Sequence, residues 1–346
     1  MTFIYFILVL GVTIFIHELG HFIFAKRAGI YVYEFSLGMG PKIFKFNRKN
    51  DETTYAIRLF PIGGFVQTAG EEIEEDNDIP SERKLQAKSW LQRFLTFVGG
   101  VLFNFILAIF LLFIVASVTG APENKPYIES IEENYPAAKA DLRPGDLIIK
   151  VNKTRVRSVD RLMLELQMNK GKTVTFEVKD ESGKIKKIKI TPKEEMQEDI
   201  KVYKYGFSIR NDIKKGVLPS IKFAFVKTYD LIEQMFFIIL ALFTGKLSLD
   251  NLAGPIGIYN IVGSTAKAGL INLVYLTGFL SINVGFINLL PIPAFDGGKI
   301  LFLIIEKIKG SPVNPKVENI IHAIGFILLI LLMILITYND ILRLFK

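Results

Sequence analysis

Four stretches of this 346-residue chain, residues 1–25, 94–122, 268–295 and 319–339, run almost free of charge. Each is long enough to cross the roughly 30 Å of hydrocarbon that takes about 20 apolar residues. A chain built this way folds in a bilayer, which excludes a cytosolic enzyme, a fibrous repeat and a disordered polymer. The fold class expected is a polytopic α-helical membrane protein with four transmembrane helices. No cysteine occurs, so disulfides, thiolate metal sites and cysteine nucleophiles are excluded. Lys and Arg number 42 against 34 acids, a net charge of +8. The lysines are scattered through strand-like segments such as residues 173–191, and no basic and aromatic residues interleave in a patch. We expect no nucleic acid, and a solvated face helped by anionic membrane lipids. The first stretch has the length of a secretory signal but lacks a basic leading region and a small-residue cleavage site. It is expected as a retained span.

Between the first two stretches, residues 42–46 and 53–60 alternate around a polar turn at 47–52, which predicts a membrane-associated β-hairpin. The acidic run 71–78 then reads as a solvated loop. A polar block of about a hundred residues between the second and third stretches is large enough to be a domain. It shows a short strand at 126–131, a helix start at Asn134-Tyr135-Pro136-Ala137-Ala138, a strand at 147–151, a helix at 158–168 and a hairpin at 173–191 turning at 180–183. That order, with Pro144-Gly145-Asp146 before the 147–151 strand, resembles a circularly permuted PDZ domain. The resemblance implies a groove for a peptide or protein ligand, bound by β-addition beside the helix. Residues 217–245 carry four charges in their first half and read as an amphipathic helix at the interface. The expected division is 1–121, a membrane half; 122–216, the PDZ-like block; 217–267, the interfacial helix and loop; and 268–346, the second membrane half.

His17-Glu18-Leu19-Gly20-His21 lies inside the first stretch. Spacing of four residues puts both imidazoles on one helical face, where they chelate zinc, with Glu18 placed to accept a proton from water there. A chance pairing is the plainer reading. It conflicts with the cost of polar groups in lipid, about 2.5–3.5 kcal/mol for a central charge, and with a total of three histidines in the chain. A catalytic zinc takes a third protein ligand. The soluble metzincin spacing would put it at position 27, which is Arg27. Asp296 is the other acid at the edge of the apolar stretches, and it follows Pro291 and Pro293, which break a helix and free carbonyls at membrane depth. Asp296 as a mere boundary marker, Glu34 and the acids of the 71–78 run stay open as alternatives. His322 reads as a satisfied or interfacial histidine, Trp90 as an interfacial anchor, and Asn104 as a hydrogen bond across packed spans.

His17–His21, Gly100-x-x-x-Asn104, the PDZ-like insert, Asn251-Leu252-Ala253-Gly254-Pro255-Ile256-Gly257 and Asn288-x-x-Pro291-x-Pro293-x-x-Asp296-Gly297 together resemble the site-2 protease family of intramembrane zinc metalloproteases. The similarity is to the bacterial branch that cleaves anti-sigma factors, and it covers nearly the whole chain in order. It implies Zn2+ held by His17, His21 and Asp296, with Glu18 as catalytic base and Asn288 positioning substrate or oxyanion. It also implies single-pass transmembrane proteins as substrates, among them anti-sigma factors and signal-peptide remnants. Phe295 stands where that family usually has leucine, and Lys299 where histidine or arginine often follows. The excess of lysine at 299–316 and after the first span predicts the active site toward the cytosol and an extracytoplasmic PDZ-like block. The competing class is a PDZ-bearing membrane scaffold with a structural metal; a transporter would need more ionisable residues across its spans.

Overall fold

The computed structural model describes residues 1–71, 78–197, 200–245 and 252–344. Among them eight α-helices follow in order: α1 (Thr2–Arg27), α2 (Trp90–Thr119), α3 (Val159–Met168), α4 (Val217–Phe243), α5 (Pro255–Lys267), α6 (Leu270–Leu289), α7 (Asp296–Lys309) and α8 (Pro315–Leu344). The chain forms two compact units, one of Met1–Val115 with Leu247–Lys346, the other of Ala116–Lys246.

Among the described residues, α1, α2, α6 and α8 are the four helices long and apolar enough to cross a membrane. They coincide with the four apolar stretches, except that α6 stops at Leu289, ahead of the two prolines. Proline lacks the N–H that the next turn needs and clashes with the carbonyl four residues back. The chain therefore leaves the helix for six residues, and Asp296 opens α7. Two contacts hold α7 against α2: the Trp90 indole Nε1 donates to the Leu303 carbonyl at 2.9 Å, and Arg93 pairs with Glu306 at 2.7 Å. Trp90, at the start of α2, is thus also a tie between helices.

The hairpin forms as read, and more is built on it. Strand β1 (Val32–Asn47) pairs antiparallel with β2 (Thr54–Thr68), with Phe44 opposite Ile57 and Phe46 opposite Tyr55. Left-handed φ at Gly38 and Gly40 bends β1 back on itself, as only glycine does cheaply. Residues 34–37 then pair on one side with 54–57 and on the other with 64–67. The result is a small curled sheet whose segments run 42–47, 54–58, 32–37, 64–68. Its outer strand and the bend leave Ile43, Phe44, Phe46 and Phe60 all more than half exposed, apolar surface of the sort that marks a membrane or protein contact. At the turn, Lys26 of α1 pairs with Asp51 and Glu52.

The second unit holds β3 (Ala121–Pro122), β4 (Ile128–Ile131), β5 (Leu147–Val151), β6 (Thr154–Arg155), β7 (Val174–Lys179), β8 (Ile185–Ile190), β9 (Lys193–Gln197), β10 (Ile200–Lys204), β11 (Phe207–Ile209) and β12 (Ile213–Lys214). A four-stranded sheet runs β6-β5-β7-β8, and β3 pairs β12, β4 pairs β11 and β9 pairs β10. Inward residues at period two, Val174, Phe176 and Val178, meet Ile148, Val151 and Leu162 in one core. Ser158 caps α3 by accepting from the Arg161 N–H. The strands after residue 192 were not foreseen, because their segments are two to five residues long and too short to show an alternating pattern.

Helix α4 is two-faced as expected. Ser220, Ala224, Thr228 and Leu231 are buried, whereas Leu218, Ile221, Phe225, Tyr229, Phe236 and Phe243 are exposed. Its buried side lies on α3, where the Arg161 guanidinium sits under the Phe237 ring at 3.4 Å. Asn124 donates to both Asp160 (3.0 Å) and Asp230 (2.7 Å). Burial first, then the charge of Asp160, pushes the Asp230 carboxyl up from 3.8 to about 6. Between those values the folded chain holds the proton that the unfolded chain releases, so stability falls as pH rises through that window. The amides of α4 should therefore exchange more slowly, after correction for intrinsic rate, at about pH 5 than at about pH 7.5. Asp230→Asn should flatten the difference; an unchanged pH dependence in that variant would assign it elsewhere.

Candidate metal centre

Residues four apart on a helix stand one above the other, and α1 places the imidazoles of His17 and His21 with Nε2 atoms 3.2 Å apart. The α6–α7 break delivers Asp296 to the same point. Its Oδ2 lies 3.1 Å from His17 Nε2 and 3.3 Å from His21 Nε2. Among the described residues these three are the group of His, Cys, Asp or Glu that could hold a metal ion. The three donor atoms make a nearly equilateral triangle. Tetrahedral zinc with bonds of about 2.0–2.1 Å separates its ligands by about 3.3 Å, so the triangle matches one face of that polyhedron. Asp296 Oδ2 is buried with no hydrogen-bond donor, an orphan that a bound cation would satisfy.

The outer nitrogens of both rings are engaged, as metal-binding histidines require. His21 Nδ1 lies 2.8 Å from the Thr96 carbonyl. A carbonyl only accepts, so the proton sits on Nδ1 and the Nε2 lone pair is free for a metal. His17 Nδ1 faces the carboxamide of Asn104, whose Nδ2 is 3.2 Å away while its Oδ1 is buried without a partner. A half-turn of that amide gives Oδ1 the Nδ1 proton and satisfies both groups. Asn104 is fully buried, and the hydrogen bond across packed spans read for it falls on a ligand ring, a partner that the sequence did not name. Asn104→Leu should weaken zinc about 10–100-fold, as loss of an outer partner does, measured by chelator competition; unchanged affinity would leave Asn104 a packing residue.

Two helices this close need small residues at the crossing. A Cβ on Gly20 would lie 2.2 Å from the Gly99 carbonyl oxygen, and one on Gly100 would lie 2.4 Å from His21 Nε2. The spacing Gly99-Gly100 … Asn104 thus serves both the crossing and the imidazoles.

The donors open into a cavity of about 760 Å³ that also exposes Glu18, Asn288, Thr68, Glu71 and Lys299. All five residues singled out as site residues, His17, Glu18, His21, Asn288 and Asp296, therefore meet in one place. Glu18 lies against the sheet: a Cβ on Gly64 would stand 2.9 Å from its Cγ. Segment 63–68 forms one wall, and its outer edge pairs with no strand among the described residues. The strand edge beside the site is therefore this one, and residues 42–60 do not line the cavity.

The alternative third ligands are otherwise engaged. Glu34 pairs with Lys42 (2.6 Å) and Arg58 (2.7 Å). Burial would raise its carboxyl, but hydrogen bonds from those two cations hold it below its ordinary value. Glu71 accepts from Lys299 and, at 2.6 Å, from the Thr68 hydroxyl, which gives Lys299 a partner across the cavity. Residues 72–77 of the acidic run lie outside the described residues, as does Asn251. The rest of the 251–257 motif opens α5, where the Gly257 N–H donates to Asp340 of α8 at 2.8 Å, a carboxylate at a helix N-terminus.

Residues 5–332 match peptidase family M50. The chain is 35% identical to the zinc metalloprotease RasP of Bacillus licheniformis, with 99% of each covered. It is 34% identical to the regulator of sigma-W protease RasP of Bacillus subtilis, again over 99% of each. With the zinc metalloprotease RasP of Geobacillus kaustophilus the identity is 32%, over 98% of this chain and 97% of the relative. A match of that extent covers α1, the sheet, the inserted unit and α7 together, and with it this chain belongs to peptidase family M50, the site-2 proteases, as a zinc metalloendopeptidase of the membrane.

Proposed function

We propose that this chain hydrolyses a peptide bond within or near the transmembrane segment of single-pass membrane proteins, with His17, His21 and Asp296 holding the zinc. The observation that carries the reading is the donor triangle, 3.1–3.3 Å on each edge, facing a cavity walled by an unpaired strand edge. Zinc, when bound, supplies the Lewis acidity that makes water acidic near neutral pH and draws electrons from a peptide carbonyl. Glu18 takes the water's proton and returns it to the leaving amine. Asn288, across the same cavity, donates from its carboxamide to the oxyanion that develops.

A helical substrate hides its amides, so it must unwind before attack. Segment 63–68 offers free backbone groups to an extended chain, and pairing there sets the scissile carbonyl beside Glu18. The exposed apolar outer strand of the sheet rests in the bilayer. The active site faces the cytosol, following the lysines around α7, and the inserted unit lies outside. That unit, whose sequence resembles a PDZ domain, acts as a filter on substrate size or prior trimming. The regulator of sigma-W protease among the relatives favours anti-sigma factors as the substrate class.

The test uses the full chain in detergent with a reporter carrying one transmembrane helix. Cleavage in or beside that helix should stop on chelation, return with added zinc, and quicken when glycine or proline loosens the reporter's span. A protein that binds the reporter and zinc without cutting would be a scaffold, and the reading would fail.

A further inference from the structure

The third zinc ligand is delivered by an awkward piece of chain. Residues 290–295 are neither helix nor strand, and α7 begins without a side-chain cap. Ala294, two residues before Asp296, has φ of +83°. The other non-glycine residues with left-handed φ, among those described, are Asn50 and Asn152, whose side chains tolerate that region. Alanine has no such help, so something outside the turn must hold it.

Helix α8 supplies the hold. His322 Nδ1 lies 3.0 Å from the Ala294 N–H, which donates to it. The ring is wedged between the turn and α7: a Cβ on Gly298 would stand 3.2 Å from His322 Cε1, and the Phe302 ring centroid is 5.5 Å away. One turn along, a Cβ on Gly325 would fall 2.5 Å from that of Pro293, so α8 presses directly on the proline loop. An imidazole that accepts at Nδ1 carries its proton on Nε2. That Nε2 is buried without a hydrogen-bond partner among the described residues. The ring is thus kept in an unfavourable place for the single bond it gives the turn.

We propose that His322 is a positioning residue of the metal centre: its Nδ1 fixes the left-handed Ala294 turn, and through it the carboxylate of Asp296, without touching metal or substrate. The proposal rests on the ligand reading of His17, His21 and Asp296. Groups that orient a ligand at one remove commonly account for 10–100-fold in metal affinity.

Zinc affinity of the full chain in detergent, by competition with a chromophoric chelator, tests it. In His322→Asn the amide oxygen stands two bonds beyond Cβ, where Nδ1 stood, and affinity should stay close to wild type. In His322→Gln the oxygen stands one bond farther, and affinity should fall about 10–100-fold, as it should in His322→Leu. Adding Ala294→Gly to His322→Gln should recover most of the loss, since glycine holds a left-handed turn unaided. Wild-type affinity in the Gln and Leu variants would overturn the proposal. So would a loss in the Asn variant equal to that in Gln, with no recovery on Ala294→Gly. Zinc binding that His17→Ala does not weaken would instead overturn the ligand reading, and the proposal with it.

Discussion

Glu18→Gln should keep zinc and lose cleavage. The substitution preserves the size of the side chain and its place between α1 and the sheet, where Gly64 leaves room for it. What changes is the ability to take a proton, and a positioned general base contributes about 10²–10⁴-fold. Zinc content should match wild type because the three donors, His17, His21 and Asp296, are untouched. A cleavage assay on a membrane-anchored reporter, with zinc measured on the same sample, separates the two effects. Unchanged cleavage in the zinc-loaded variant would remove Glu18 from the chemistry. Loss of both zinc and cleavage would make it a ligand or a fold residue instead. A structural metal in a scaffold predicts that Glu18 is dispensable.

Much of this site was legible before any coordinates because its parts are periodic or local. The four apolar stretches, the helical spacing of His17 and His21, and the break at Pro291 each follow from one element read by itself. Asp296 stood out as an acid beside a broken helix, and the structure brings it to the two imidazoles. What escaped reading are contacts between elements far apart in the chain. Asn104 against His17 joins residues 87 apart, and His322 against Ala294 joins α8 to the proline loop. Lys299 against Glu71 spans 228 residues. Neither period nor spacing encodes such pairings. The curled sheet was half seen for a related reason. Alternation announced the 42–60 hairpin, whereas the second use of residues 34–37, which sets segment 64–68 beside Glu18, depends on two glycines that bend one strand upon itself.

Gly100→Ala should cost the metal outright, although it adds one methyl group to a span and removes nothing. The new Cβ would lie 2.4 Å from His21 Nε2 and 2.7 Å from His17 Cε1, well inside van der Waals contact. A flexible side chain would swing aside, but these two rings are held from behind, His21 by the Thr96 carbonyl and His17 by Asn104. Either α1 and α2 separate or the imidazoles turn away from Asp296, and both outcomes break the donor triangle. Separation would break the hydrogen bonds that tie α1 to α2, His21 to the Thr96 carbonyl and His17 to Asn104. We expect zinc affinity to fall by at least about 100-fold, the upper end of the loss for an outer-sphere contact, and cleavage to fall with it. Gly11→Ala in α1 is the control: its Cβ meets nothing within 4 Å, and alanine is the better helix former, so zinc and cleavage should both persist. Retained zinc in Gly100→Ala would mean that the helices yield at this crossing, and that the close approach of α1 and α2 is not what holds the two histidines in place.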